Sequence, residues 1–225
     1  WTRLAIFVDP EFSFAKLRLA DALTRENSLK QALVIYKNIS KDPKFDWIGR
    51  LRVARTHNVL DKIDQAARIL RAMAKEEKHS ITPLVNLGGI YRGRERYREA
   101  ADAYQSAKER VKNWKKSHWR LLFEKGASHE RLKEWPEAET EFLKALELNP
   151  NEPSVLNYLG YSWLEQGKNI EKAYKMINIA VKQRPQAAYI VDSLGWAQYH
   201  LGDFSGAVKN LERAVLLDPS DATIN

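Results

Sequence analysis

The sequence predicts an all-α fold of stacked helix hairpins, and three observations carry that expectation. First, one spacing recurs six times: a small residue, an alanine about twelve positions on, an aromatic or aliphatic four later, and often a small residue three after that. Second, the units start near Ser13, Trp47, Ile81, Trp119, Pro153 and Ala188, at intervals of 34, 34, 38, 34 and 35 residues. A period of that length marks paired helices that cannot bury their apolar faces alone and must stack on their neighbours. Third, 44% hydrophobic and 29% charged residues describe a globular chain, and ten Gly with eight Pro are few enough to punctuate helices. Because repeats build one elongated core, a single domain is expected.

Residues 1–12 read as the end of a preceding truncated repeat, since Leu4-Ala5-Ile6-Phe7-Val8-Asp9-Pro10 has the apolar run and proline stop of a second helix. The first unit spans 13–46, the second 47–80 and the third 81–118. The third is four residues longer than the period, and the excess around Glu109 to Ser117 is expected to lengthen its second helix by about one turn. The fourth unit spans 119–152. In the fifth, 153–187, Leu156, Leu159, Gly160 and Trp163 share one face of a first helix, while Ala173, Ile177 and Ala180 share one face of a second, closed by Pro185. In the sixth, 188–221, Val191, Leu194 and Gly195 precede the turn Gly202-Asp203, and Ala207, Leu211 and Ala214 follow, closed by Pro219. Residues 222–225 begin a following segment.

Small residues recur in the first helices as Ala20, Ala54, Gly88, Gly126, Gly160 and Gly195. Two antiparallel helices at 8–10 Å or closer need a small side chain where they cross. The expected partners are Ala32, Ala66, Ala100, Ala138, Ala173 and Ala207 in the second helices.

Enzymatic chemistry finds little support. With no cysteine there is no disulfide, thiolate metal site or cysteine nucleophile. The five His make no i, i+4 pair; His57 and His129 occupy one repeat position and read as packed structural imidazoles, so no metal is assigned. Gly88-Gly89 and Gly93 lack the strand and the Lys-Ser/Thr of a phosphate loop, and no nucleophile-elbow motif occurs. Glu137 and Glu141 read as ordinary neighbours on a solvated face. Asn38-Ile39-Ser40 matches a glycosylation acceptor by letter, but within a predicted helix. No catalytic residue and no cofactor is expected.

The charge is uneven. Residues 1–117 hold 25 Lys and Arg against 14 Asp and Glu, a net of +11; residues 118–225 hold 12 against 15, a net of −3. A basic half steers acidic protein segments, nucleic acid or anionic membrane alike. Trp114 within the basic stretch Lys108 to Lys116 admits base stacking, but a solvated helix end with Trp covering a repeat junction is the expected reading, because the groove positions vary too much between units to carry an RNA code.

First helices of such an array line a concave groove. The second, fifth, sixth, ninth and twelfth residues of each should face it. This gives Arg18, Arg52, Arg55, Asn86 and Arg92 in units one to three, and Asn157, Tyr158, Tyr161, Tyr189, Asp192, Trp196 and Tyr199 in units five and six. Arg and aromatic side chains are frequent interface anchors. Packing between adjacent first helices is the competing account of the aromatics, above all of Tyr161 and Trp196.

These residues resemble the tetratricopeptide repeat, in six units from about Ser13 to Asp221. The resemblance implies a right-handed α-α superhelix that binds proteins or peptides. The first two units depart from the pattern: their small residue is Ala, Arg50 takes a usually apolar position, and Lys44 and Lys78 replace the closing Pro. Some members grip a terminal carboxylate with Lys and Asn at the fifth and ninth positions. Here those positions hold Leu17/Asp21, Leu51/Arg55, Val85/Gly89, Phe123/Ala127 and Asn157/Tyr161, so that clamp is not expected. The stretches Asn157 to Tyr161, Arg184-Pro185-Gln186, Tyr189 to Trp196 and Leu211 to Val215 are similar to the C-terminal repeats of bacterial envelope tetratricopeptide proteins. That similarity implies a non-enzymatic scaffold in cell-envelope maintenance, periplasmic or associated with the outer membrane, with an envelope protein or a protease as partner. The alternative is a cytoplasmic RNA- or assembly-associated factor using the basic half.

Overall fold

The computed structural model describes residues 5, 7–9 and 12–221; the expectations for Leu4, Ile6, Pro10 and the segment 222–225 fall outside them. Among the described residues there are twelve α-helices of four residues or more and no strand. They run α1 Ser13–Arg25, α2 Leu29–Ile39, α3 Asp46–Val59, α4 Ile63–Glu76, α5 Thr82–Arg92, α6 Tyr97–Glu109, α7 Trp119–Arg131, α8 Trp135–Leu148, α9 Pro153–Glu165, α10 Ile170–Gln183, α11 Ala188–His200 and α12 Phe204–Leu217. Odd and even helices pair as hairpins.

The turn inside each hairpin repeats as faithfully as the helices do. Each hairpin turn holds a left-handed residue at the same place: Asn27, Asp61, Glu95, Lys133, Gly167 and Gly202, with φ between +57° and +79°; the fifth turn adds a second, Asn169, at +49°. Around the shared position the same six-to-one bond closes every first helix, from Ser28 N–H to Leu23 O, Lys62 to His57, Arg96 to Tyr91, Glu134 to His129, Lys168 to Trp163 and Asp203 to Gln198, all at 2.8–3.0 Å. These bonds satisfy carbonyls that a helix end leaves unpaired. Only two of the six positions are glycine, so the other four carry a modest conformational cost that the hairpin packing overrides.

The crossings are tighter than alanine-on-glycine contact alone implies. A methyl added to Gly160 would sit 2.8 Å from Ile177 Cγ1 and 3.2 Å from the Ala173 carbonyl oxygen; Gly126 would meet Phe142 at 2.8 Å, Gly195 Leu211 at 2.8 Å and Gly88 Tyr104 at 2.6 Å. The residue one turn past the alanine therefore lies over each of these glycines, and at Gly126, Gly160 and Gly195 the alanine carbonyl also lies 3.1–3.3 Å from the added methyl. Ala32, Ala66, Ala100, Ala138 and Ala173 are wholly buried and Ala207 nearly so. Large side chains such as Tyr36, Tyr104, Phe142 and Ile177 are buried beside them, each contributing roughly 1.5–3 kcal/mol of apolar burial.

Departures from the repeat pattern are accommodated locally. Arg50 turns outward and grips Glu76 with two hydrogen bonds of 2.5 and 3.0 Å, with Asp46 at 3.4 Å. After α2 the turn contains Pro43, one residue ahead of Lys44, and is held by Asp42, which accepts from Lys44 N–H at 3.0 Å and from the Ser13 hydroxyl at 2.7 Å. Past α4, the Arg110 guanidinium donates to the carbonyls of Glu77 and Ser80 at 3.2 and 3.0 Å.

Two expectations are corrected. The four extra residues of the third unit do not lengthen its second helix: α6 stops at Glu109, and residues 110–115 form a loop before a short 3-10 turn at Lys116–His118. Lys115 is extended there, and its N–H donates to His118 Nδ1 at 3.1 Å, so the chain restarts a helix instead of prolonging one. The chain also divides into two compact units, Trp1–Val111 and Lys112–Asn225, where a single domain was expected. The division falls within that loop.

In the N-terminal unit α2 packs on α3 and α4 on α5, and Ala20, Leu23, Ala32, Tyr36 and Val53 form its buried cluster. In the C-terminal unit α8 packs on α9 and α10 on α11, and the first helices α7, α9 and α11 also touch one another in sequence. Its core runs from Leu122 and Phe142 through Leu159 and Ile177 to Ile190 and Ala214. Inside that core Lys125 Nζ pairs with Glu141 Oε1 at 2.9 Å, both side chains a tenth exposed or less. Glu141 thus does not lie on the solvated face assigned to it beside Glu137.

Candidate functional site

Because α7, α9 and α11 lie side by side in the C-terminal unit, residues on their shared face converge. A cleft of about 250 Å³ opens there, lined by Glu130 and Arg131 from the end of α7, Asn157, Tyr158 and Tyr161 from α9, and Tyr189, Asp192 and Ser193 from α11. Five of the groove residues expected from sequence meet in it. Glu130, Arg131 and Ser193 were missed. The same register carried into the fourth unit reaches Glu130 as its twelfth residue, and Ser193 is the sixth residue of the sixth unit.

The lining is built in layers. Tyr158 is half-buried, edge-on to Phe123 with ring centroids 5.0 Å apart and tilted against Phe142 at 6.1 Å, so core packing fixes its position. Tyr189 is 39% exposed. Asn157, expected on the open surface, is only 4% exposed; burial by adjacent first helices, which no single-helix register counts, explains the difference. Its Oδ1 has no hydrogen-bond partner. A buried acceptor left unmade costs free energy that a donor from outside would recover.

Carboxylates crowd this face. Burial holds the Glu130 carboxyl above the usual carboxylate range, with Arg131 opposing the shift and Glu165 adding to it. Burial does the same to Asp192, reinforced by Asp221. The Tyr161 phenol is pushed up to about 12 by burial, then by the charge of Glu165 and a hydrogen bond to it, then by Asp192 and Glu130. Glu165 also accepts from Trp196 Nε1 at 3.1 Å, tying α9 to α11. Trp196 is half-buried and stacks on Tyr199 with centroids 5.3 Å apart and planes 3° from parallel, while Tyr199 is 50% exposed. Packing between first helices thus accounts for much of Tyr161 and Trp196, and exposure for Tyr189 and Tyr199.

The basic residues expected in the groove are dispersed. Arg18 and Arg55 are exposed, Arg92 is half-buried, and Asn86 is exposed with its side chain donating to the Thr82 carbonyl at 2.8 Å. Arg52 donates to Asp21 Oδ1 at 2.9 Å, the same oxygen that accepts from the buried Tyr36 hydroxyl at 2.7 Å, so it serves the fold. The larger N-terminal clefts lie elsewhere. One of about 550 Å³ is lined by Arg71, Ala74, Lys75, Lys78, Leu84, Ser106 and Arg110, and one of about 350 Å³ by residues including Lys37, Arg50 and Arg68. Second helices supply most of their basic groups, a placement the groove register could not reveal.

His57 and His129 are both buried; burial lowers the His57 pKa, with Lys37 and Lys62 contributing, and His129 Nδ1 lies 2.8 Å from Glu134 Oε2. Among the described residues no three His, Asp or Glu side chains converge as a metal-holding group, and no helix is long and apolar enough to cross a membrane.

Comparison with known proteins places this arrangement. Two models of the tetratricopeptide repeat match, at residues 85–153 and 190–221. Among solved structures, PilF of Pseudomonas aeruginosa superposes with a TM-score of 0.76 at 18% identity, covering 93% of both chains. PilW, described as a widely conserved type IV pilus biogenesis factor, gives 0.74 at 17% identity over 95% of this chain and 97% of its own. YrrB, described as a repeat protein with an unusual peptide-binding site, gives 0.63 at 18% identity over 84% of this chain and 94% of its own. At such identities the likeness speaks for the fold.

Proposed function

Since the chain belongs to the tetratricopeptide-repeat family, we propose that it is a non-enzymatic scaffold that holds a peptide or a partner protein on the first-helix wall of its C-terminal unit. The observation that supports this most directly is the cleft shared by α7, α9 and α11, where conformationally stiff tyrosines and polar groups line a concavity. Concave sites that pair aromatic walls with a few placed polar atoms are where proteins bind ligands and partners. The peptide-binding site named for YrrB is consistent with such a use of the fold.

The finer reading is a role in bacterial cell-envelope maintenance, in the periplasm or at the outer membrane, with an envelope protein or protease as partner. Two observations support it: the likeness of residues 157–161 and 189–196 to envelope repeat proteins, and the likeness in fold to a type IV pilus biogenesis factor. A second reading rests on the N-terminal clefts around Arg71, Lys75, Lys78 and Arg110, which favour an anionic ligand and an RNA- or assembly-associated role.

The test uses exposed residues, because Tyr158 is tied into the core. After a partner is identified by affinity capture from native cells, Tyr189→Ser combined with Tyr199→Ser weakens its binding at least tenfold, about 1.4 kcal/mol. Undiminished binding by the double variant removes the first-helix wall from consideration. Steep loss of binding to a generic oligonucleotide with added salt would instead favour the anionic reading, since phosphate contacts release counterions.

A further inference from the structure

We propose that the cleft between α7, α9 and α11 receives the cationic side chain, lysine or arginine, of an extended partner segment. This deepens the scaffold reading and rests on it. Its direction is opposite to that suggested by the chain's net charge of +8.

Charge balance comes first. Glu130 and Asp192 line the cleft with Arg131 as the one cation, and Glu165 lies close enough to act on Tyr161 from the same side. Three carboxylates against one guanidinium leave the site short of positive charge. Arg131 is exposed, whereas Glu130 and Asp192 are half-buried, so water compensates the carboxylates poorly. A group that arrives with a full positive charge and several N–H donors supplies what is missing.

Two further features fit the same guest. Tyr158, Tyr161 and Tyr189 form the walls, and aromatic rings attract cations through their quadrupole, most strongly where water is displaced. Asn157 lines the cleft, and its buried Oδ1, which can only accept, has no hydrogen-bond partner. An ammonium or guanidinium satisfies it; a carboxylate cannot. The volume of about 250 Å³ equals roughly eight waters at ~30 Å³ each, room for one long side chain rather than a helix.

Three blocked peptides serve as probes: acetyl-Gly-Lys-Gly-Lys-Gly-amide, and the same sequence with Glu or with Gln replacing Lys. Binding to the full chain is followed by amide chemical-shift titration at low salt. The Lys peptide is expected to bind at least tenfold tighter than the Glu peptide and to shift residues 130, 157, 161, 189 and 192. Glu130→Gln with Asp192→Asn reduces that affinity at least tenfold, while Arg18→Gln with Arg55→Gln leaves it within twofold. Equal or tighter binding of the Glu peptide overturns the proposal, as does unchanged Lys-peptide affinity in the carboxamide variant. The carboxamides keep side-chain shape, and a native melting profile confirms their fold. If Tyr189→Ser abolishes peptide binding but the carboxamides do not, the scaffold stands and the cation preference falls. If neither substitution matters, both readings fall.

Discussion

The two compact units use the same hairpin to opposite electrostatic ends. Residues 1–111 hold 22 Lys and Arg against 14 Asp and Glu, a net of +8, whereas residues 112–225 hold 15 of each. In the N-terminal unit Arg50 reaches Glu76 and Arg94 reaches Asp61 at 2.5 Å in solvent-exposed pairs, while Arg52 with Asp21 is half-buried beside Tyr36. In the C-terminal unit one pair, Lys125 with Glu141, is sealed in the core, and carboxylates gather on the first-helix wall. The lesson is that the repeat dictates where helices cross and leaves open where charge is placed. Surface pairs add little stability; a buried pair adds a liability if either partner is lost.

The largest expected effect tests that asymmetry. Glu141→Ala leaves Lys125 buried without its counter-charge and costs about 3–5 kcal/mol. Glu76→Ala, at an exposed pair, leaves the stability of its unit nearly unchanged. Urea unfolding followed by hydrogen exchange, helix by helix, reads both. Comparable losses in the two variants would break the contrast.

A smaller effect concerns the crossings. Gly160→Ala drives a methyl toward Ile177 and the Ala173 carbonyl and costs roughly 1–3 kcal/mol by overpacking. At the matching N-terminal position, Ala54→Gly should cost only about 0.5–1 kcal/mol, because that crossing already accommodates a methyl. Thermal midpoints of the two variants decide it, and an unchanged midpoint for Gly160→Ala would contradict the crossing geometry.

The smallest effect links the candidate site to stability. The carboxyls of Glu130 and Asp192 titrate above their ordinary values because burial disfavours their charged forms. A carboxyl whose pKa is higher folded than unfolded binds more protons in the folded state, so stability rises as pH falls through the folded value and is lowest above it. Asp192→Asn is therefore expected to raise stability at neutral pH by about 1 kcal/mol or less, after allowance for solvent screening. The gain should vanish as pH falls through the range where Asp192 protonates. Destabilisation at pH 7, read by the thermal midpoint, would show that the carboxylate is already compensated within the chain.

Much of the fold was legible because helix pairing depends on local periodicity. The small residues at Gly126, Gly160 and Gly195 and the buried alanines opposite them declare the crossings at a fixed spacing. What depends on two helices at once was harder to read. Lys125 and Glu141 are sixteen residues apart on different helices, and each alone resembles a surface residue of an amphipathic stripe. Glu95 and Lys133 adopt the left-handed turn without glycine to announce it. The loop at 110–115 was mistaken for helix because its lysines and Val111 suit a helix individually, while the interruption depends on Lys115 meeting the His118 ring. At the site, the register put Asn157, Tyr158 and Tyr189 on one helical face, and all three line the same cleft. It carried no information on how deeply adjacent helices bury each one.

The sealed Lys125–Glu141 pair limits the modularity that a repeating architecture suggests. Any shuffled protein that combines α7 from this hairpin with a second helix from a sibling would strand an ammonium in apolar surroundings. The fourth hairpin can therefore be transplanted only whole. In an array that otherwise invites duplication and exchange, one internal charge pair gives that hairpin a private identity.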